Sequence, residues 1–90
     1  PVLSEFKLSQ NYPNPFNPFT EIRFAMKRKD NVNITVYNAH GQRVATLVDG
    51  EKSAGIHTVT FDSKLHSSGI YFYRMNVGDK IFQKKMLLIK

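Results

Sequence analysis

The sequence predicts an all-β protein, specifically an antiparallel β-sandwich, and three observations favour this fold class. Apolar and polar residues alternate in short runs, which is the period of a half-buried strand. These runs recur at intervals of about 8–12 residues with turn residues between them, as in sandwiches. No stretch has the apolar spacing of an amphipathic helix. A closed β-barrel fits the same pattern and stays open as an alternative.

The first half of the chain predicts four strands. We expect them over residues 6–8, 20–26, 32–37 and 43–48. In the second of these, Ile22, Phe24 and Met26 share one face, and this face is predicted to be buried. Asn38–Gly41 has the composition of a hairpin turn of type I, with Asn at the first position and a glycine that tolerates φ > 0 at the last.

The second half predicts three further strands, so the full prediction is a seven-stranded antiparallel immunoglobulin-like β-sandwich. We expect these strands over residues 56–62, 69–77 and 80–90. Both faces of the strand over 69–77 are partly apolar, so it should be central or packed on both sides. The polar, glycine-bounded residues 49–55 predict a loop, and Leu65 is a candidate plug beneath the next connection. Gly55 and Gly69 stand where strands begin, where we expect them to serve backbone geometry.

The predicted core consists of large apolar side chains from both halves of the chain. Its members are Phe24, Val36, Val59, Phe61, Tyr71 and Tyr73. Tyr37, Ile70 and Phe72 are candidates for a partly exposed face that binds sugars or bases. Packing between the two sheets is the simpler interpretation of these three side chains, because a small domain needs every apolar side chain.

Composition limits the domain count and the classes of function. Ninety residues form one small domain, in which residues 1–7 are expected to be the end of a linker with a possible first strand, and residues 8–90 the folded unit. The chain has no cysteine, which excludes disulfides and thiolate sites. No apolar run reaches the ~18 residues of a membrane-spanning helix. The net charge of +6 is compatible with an acidic partner, with nucleic acid or simply with solubility.

Catalytic and cofactor-binding patterns are not found in the sequence. His40, His57 and His66 do not have metal-ligand spacing, and the serines form no nucleophile elbow. No glycine-rich phosphate loop occurs. Arg74 beside Phe72 is only a faint match to a single-stranded nucleic-acid site, which needs basic residues interleaved with exposed aromatics. We therefore expect a protein that is not an enzyme, with no metal, no cofactor and no nucleic-acid partner.

The most distinctive stretch is residues 11–18, which we call the proline block. It consists of Asn11, Tyr12, Pro13, Asn14, Pro15, Phe16, Asn17 and Pro18. Each proline fixes its own φ, removes a donor and favours an extended residue before it, so the block is neither helix nor central strand. We expect a stiff extended segment whose Asn side chains bond nearby backbone groups. Tyr12 and Phe16 are expected to lie across the core and close one end of the sandwich.

The proline block resembles the opening motif of the type IX secretion C-terminal sorting domain, also called the Por secretion or type A sorting domain. The resemblance continues to the end of the chain through residues 36–44, 54–62, 68–74 and 84–90. These segments contain Gly41, Gly55, Gly69, Tyr71 and Tyr73 at positions that match the family pattern. One departure is an aromatic residue at position 19, where the family more often has a small polar residue.

The resemblance implies a secretion signal rather than a catalyst. It implies that the domain directs its parent protein from the periplasm across the outer membrane for release or attachment at the cell surface. The implied partners are the type IX machinery, a sortase-like peptidase and an upstream cargo domain in the same chain. Export information near the C-terminus makes Lys84, Lys85 and Lys90 candidates for receptor contact, whereas the proline block should act through its shape. A charged edge strand that discourages aggregation is the competing interpretation of the lysines.

A function of another class remains open at this point. The chain also fits an immunoglobulin-like adhesion or carbohydrate-binding module of a secreted multidomain enzyme. The proline block and the lysine-rich end favour the secretion signal.

Overall fold

Seven antiparallel β-strands account for most of residues 5–90. The computed structural model describes residues 5–90, so the first four residues of the predicted linker end lie outside the described residues. The strands are β1 (Lys7–Leu8), β2 (Phe19–Met26), β3 (Asp30–Asn38), β4 (Arg43–Lys52), β5 (Gly55–Asp62), β6 (Gly69–Val77) and β7 (Lys80–Leu88). Phe6, which precedes β1, is buried in the same core as the later strands. The part of the chain that the structure describes contains no helix able to cross a membrane.

The strands form two sheets that pack face to face. One has three strands in the order β1-β2-β5, and the other has four in the order β4-β3-β6-β7. No strand pairing among residues 5–90 joins the two sheets, so the β-sandwich prediction is confirmed and the barrel alternative is wrong. β1, β2 and β5 lie in one sheet and β3, β6 and β7 lie in the other, which is the arrangement of immunoglobulin-like sandwiches. β6 lies between β3 and β7, as its two partly apolar faces predict.

The core fills the space between the sheets with alternate residues of the longer strands. The predicted inward face of β2, which carries Ile22, Phe24 and Met26, is fully buried. Five of the six side chains predicted for the core are buried, whereas Val59 is only half-buried. The difference arises because β5 is an edge strand of the three-stranded sheet, so one flank of Val59 meets solvent.

Two predictions about connections are wrong. Residues 49–52 belong to β4 rather than to a loop, because Asp49 pairs with Asn33 and Lys52 with Asp30. Their polarity reflects the position of β4 at a sheet edge, where charged residues are common. Leu65 is 92% exposed and plugs nothing. His66 packs there instead, with its ring stacked 5.5 Å from that of Phe61.

The outer face of the four-stranded sheet carries the side chains of Tyr37, Ile70 and Phe72. The expectation that they pack between the sheets is wrong, because their neighbours along the strands take the inward positions. Ile70 is 42% exposed, and the other two are half-buried. The guanidinium carbon of Arg74 lies 5.0 Å from the ring centroid of Tyr37, a cation–π contact that partly covers the ring.

A tyrosine near the start of β6 fixes the connection that precedes it. The Tyr71 hydroxyl donates a 2.6 Å hydrogen bond to the carbonyl of Ser67, four residues earlier. This is the arrangement of the tyrosine corner found in immunoglobulin-like sandwiches. Because the ring of Tyr71 also packs near those of Phe61 and His66, the connection is held against the core.

Tyr73 ties the four-stranded sheet to the segment that leads into the proline block. Its side chain is fully buried, and its hydroxyl donates a 2.6 Å hydrogen bond to the carbonyl of Ser9. Burial raises the pKa of Tyr73 to about 12, because the phenolate would lose its hydration. The neutral hydroxyl is therefore the form that the fold stabilises.

Stability should fall at alkaline pH in a way that depends on Tyr73. The unfolded tyrosine ionises near pH ~10 and the folded one only near pH about 12, so this contribution is complete below pH ~10 and is lost as pH rises towards 12. Tyr73→Phe should destabilise the domain at neutral pH by about 1 kcal/mol through the lost hydrogen bond. Denaturant titrations across this pH range should show the difference between the two proteins narrowing. Parallel pH profiles would contradict the assignment.

Candidate functional site

The proline block crosses from one sheet to the other along the open side of the sandwich. At its start, the backbone of Tyr12 exchanges hydrogen bonds of 2.9 and 2.8 Å with Glu21 in β2. Further along, the Phe16 amide donates to the Leu87 carbonyl at 3.0 Å, and the Ile89 amide donates to the Phe16 carbonyl at 3.1 Å. The block is therefore an extended segment that closes one side of the sandwich. The three peptide bonds that precede its prolines are cis.

The two aromatic residues of the block have opposite environments. Phe16 is buried, and its ring centroid lies 6.0 Å from that of Phe61 in an edge-to-face contact. Tyr12 is 80% exposed, so the expectation that it lies across the core is wrong. Side chains alternate along an extended segment, and the preceding residue, Asn11, takes the inward position.

A buried polar network around Asn11 sets the conformation of the block. Its Nδ2 donates to Thr20 Oγ1 at 2.9 Å and to the Pro13 carbonyl at 3.1 Å. Thr20 Oγ1 in turn donates to the same carbonyl at 2.8 Å. The Oδ1 of Asn11 accepts a 2.7 Å hydrogen bond from Gln10 Nε2. The network satisfies the buried side-chain polar atoms, which keeps the cost of their burial low.

The block also covers the C-terminal half of the outer edge of β7. Gln10 Nε2 donates to the Lys85 carbonyl at 2.7 Å, and Asn14 Oδ1 accepts from the Leu87 amide at 2.9 Å. Together with the two backbone hydrogen bonds of Phe16, these contacts engage the Lys85 carbonyl, both backbone groups of Leu87 and the amide of residue 89. The first and last parts of the sequence that resemble the sorting domains therefore form one continuous structure. Asn17 is exposed and makes no side-chain hydrogen bond within the described residues, so the expectation that the Asn side chains bond nearby backbone groups is wrong for this residue.

The three lysines singled out in the sequence lie along and beyond the same strand. Lys84 is paired with Tyr73 and Lys85 with Phe72, so the two lysines point to opposite faces of the sheet. Both are exposed, and neither forms an ion pair with any residue from 5 to 90. Lys90 follows the end of β7, where its Nζ donates to the carbonyl of Lys64 at 3.1 Å. A partner can reach the first two lysines together only from the strand edge.

What this site offers a partner is the backbone of a strand edge and surface charge rather than reactive groups. Among residues 5–90 there is no cluster of three or more side chains suited to hold a metal ion. His57 stacks on Phe24 at 5.2 Å between ring centroids, and His66 stacks on Phe61. Two of the three histidines therefore serve packing.

Comparison with protein families matched residues 10–90 to the secretion system C-terminal sorting domain. The chain belongs to this family. As a type IX secretion sorting domain it directs secretion of its parent protein across the outer membrane and interacts with the secretion machinery. The family is non-catalytic, which agrees with the sequence prediction, and the adhesion or carbohydrate-binding alternative is not adopted. Comparisons with curated proteins and with solved structures gave no significant match.

The glycines that match the family pattern all adopt φ values that favour glycine. Their φ values are 84° for Gly41, 132° for Gly55 and 151° for Gly69. A Cβ built at any of them would meet nothing within 4 Å. The need for glycine in the sorting domain therefore comes from the backbone dihedral and not from close approach of another chain segment.

Sequence reasoning missed three polar residues that build the site. Gln10 is not singled out from the sequence, and Thr20 enters there only as the first residue of a predicted strand, although both belong to the network around Asn11. Ser63 is fully buried, and its amide and hydroxyl both donate to the Pro18 carbonyl, at 2.9 and 2.7 Å. A Thr two residues after a proline-rich segment is a usable signal for such a network. Nothing in the sequence pairs Ser63 with Pro18.

Replacing Asn11 with Ala should lower the free energy of unfolding by roughly 1–3 kcal/mol, because Thr20 Oγ1 and the Pro13 carbonyl each lose a buried hydrogen bond. Asn17→Ala is the matched control in the same motif. It should change stability by no more than about 0.5 kcal/mol, since its side chain is exposed. Thermal denaturation of both variants measures the contrast. Equal melting temperatures would contradict the structural role of Asn11.

Proposed function

We propose that this is a type A sorting domain whose cargo is an upstream domain of the same parent chain. It carries that cargo through the periplasm to the cell surface or the medium, and a sortase-like peptidase separates the two. The observation that supports this proposal most is the docking of the proline block onto β7. The two parts of the family signature, at residues 11–18 and 84–90, form one structure that a single receptor can contact.

We propose further that Lys84, Lys85 and Lys90 contact the receptor. Their exposure and their position on or beyond an edge strand support this role, because long lysine side chains present charge without disturbing the apolar face below. Met86 and Leu88 follow Lys84 on the same face of β7 and are buried in the core, whereas Lys85 lies on the opposite face. The proline block contributes the shape that keeps this strand in place.

Fusion to a periplasmic reporter tests the proposed function. The whole chain is placed behind the reporter in a cell with an active type IX system, so that the buried Phe6 is retained. We expect the reporter outside the cell, and we expect it to remain in the periplasm when the domain is omitted or when the translocon is inactivated. Periplasmic retention of the intact, folded fusion in the competent cell would refute the proposal.

A further inference from the structure

We propose that the outer edge of β7 between Lys80 and Lys84 accepts an extended, acidic segment of a partner protein as an additional β-strand. The inference deepens the proposed receptor contact through Lys84 and in that respect rests on it. It assigns the binding mode, which is strand addition, and the chemistry of the partner segment.

The backbone geometry of β7 provides the edge. The amide and carbonyl of Leu87 point outward, since they bond to Asn14 and Phe16 of the proline block. Direction alternates along a strand, so the amides and carbonyls of Ile81 and Gln83 also point outward. No strand within residues 5–90 pairs with them, because β7 pairs only with β6. The proline block thus covers one half of the edge and leaves the other half available.

A groove lies directly beside this available half. It has a volume of about 430 Å³ and runs between β1 and β7. Its lining includes the apolar side chains of Phe6, Leu8 and Phe82. A strand added to β7 runs alongside it ~4.8 Å away, and alternate side chains of that strand then face the groove.

The charge around the groove selects the partner. Four lysines line it, namely Lys7, Lys27, Lys80 and Lys84. The single acidic residue of the lining, Glu5, lies 3.7 Å from Lys7 as an ion pair. An acidic segment is therefore attracted, whereas a second copy of this chain, with its net charge of +6 and an equally basic edge, is repelled.

Binding of a model peptide to the isolated 90-residue chain tests the inference. The probe is a capped eight-residue peptide of alternating Glu and Val, and the control peptide alternates Lys and Val. Nuclear magnetic resonance should show amide exchange at Ile81 and Gln83 slowed at least tenfold by the acidic peptide only. Equal binding of the two peptides, or protection confined to β4 or β5, would overturn the proposal.

Two kinds of variant separate strand addition from simple charge attraction. Gln83→Pro removes an outward amide while leaving the backbone hydrogen bonds to β6, and it should weaken binding at least tenfold. Gln83→Ala is its control, since it removes only the side-chain oxygen that accepts from Arg74, and it should leave binding within twofold. The double variant Lys80→Glu with Lys84→Glu should do the same by reversing the charge of the groove. Arg43→Glu with Lys64→Glu makes the same change of net charge away from the groove and should leave binding within twofold. Unchanged binding by folded Gln83→Pro, or by the Lys80 and Lys84 double variant, would refute strand addition at this edge.

The peptide assay and the export assay fail independently. Export without peptide binding would overturn this inference and leave the secretion function intact. Peptide binding without export of the fused reporter would instead refute the proposed secretion function for this chain.

Discussion

Replacing Phe61 with Ala is expected to lower the free energy of unfolding by roughly 3–5 kcal/mol, a large share of the ~5–15 kcal/mol of a typical domain. The side chain is 2% exposed. Its ring lies 6.0 Å from Phe16 of the proline block, 5.5 Å from His66 and 6.4 Å from Tyr71 between centroids. Truncation opens a cavity where β5, β6 and the proline block meet, and a small core has little capacity to close it.

Phe72→Ala is the matched control for this substitution. Phe72 is half-buried on the outer face of the four-stranded sheet, so the same truncation should cost only about 1 kcal/mol. Melting curves give the two stabilities. Hydrogen exchange at Leu87 and Ile89 should also accelerate more in the Phe61 variant, because Phe16 loses its support beside β7. A Phe61 variant that melts with or above the Phe72 variant would show that Phe61 is not central to the core.

Replacing Lys84 and Lys85 together with Gln is expected to leave the fused reporter in the periplasm. The extracellular fraction should fall by roughly tenfold, because the variant lacks both charges proposed to contact the receptor. Stability should change by no more than about 0.5 kcal/mol, because both side chains are exposed and the Lys85 carbonyl that accepts from Gln10 is retained. Each variant needs two measurements, a melting curve and the extracellular fraction.

Arg43→Gln with Lys64→Gln removes the same charge elsewhere on the surface and should leave export unchanged. Normal export by the Lys84 and Lys85 double variant would refute receptor contact through these lysines. A stable but unexported Asn17→Ala variant would instead identify the proline block as the part that the machinery reads. The two outcomes are distinguishable because Asn17 contributes no side-chain hydrogen bond within the described residues.

The fold followed from local patterns because strands impose a period of two on their side chains. The alternation of Ile22, Phe24 and Met26 with polar residues predicts a buried face, and all three side chains are buried in the structure. In edge strands the alternation of apolar and polar residues is weaker. The polar residues 49–52 predict a loop by composition, yet they complete β4 through backbone pairing that does not depend on side-chain type.

The candidate site was harder to predict because its contacts join distant parts of the chain. The hydrogen bond from the Leu87 amide to Asn14 spans 73 positions, and neither residue type signals the other. Within the proline block, size was a poor guide to burial. Tyr12 lies in solvent whereas Asn11 is buried, because the network of Asn11 offsets its desolvation and the extended backbone turns successive side chains to opposite sides.

The docking of Asn14 and Phe16 onto the last strand has a consequence for chain synthesis. Their partners at Leu87 and Ile89 are synthesised after β1 to β6, and such non-local contacts form late and slowly. A nascent domain that still lacks β7 therefore displays an undocked proline block. Completion of β7 is thus converted into a change of shape some seventy residues upstream, which makes the docked block a physical record that this strand has been made.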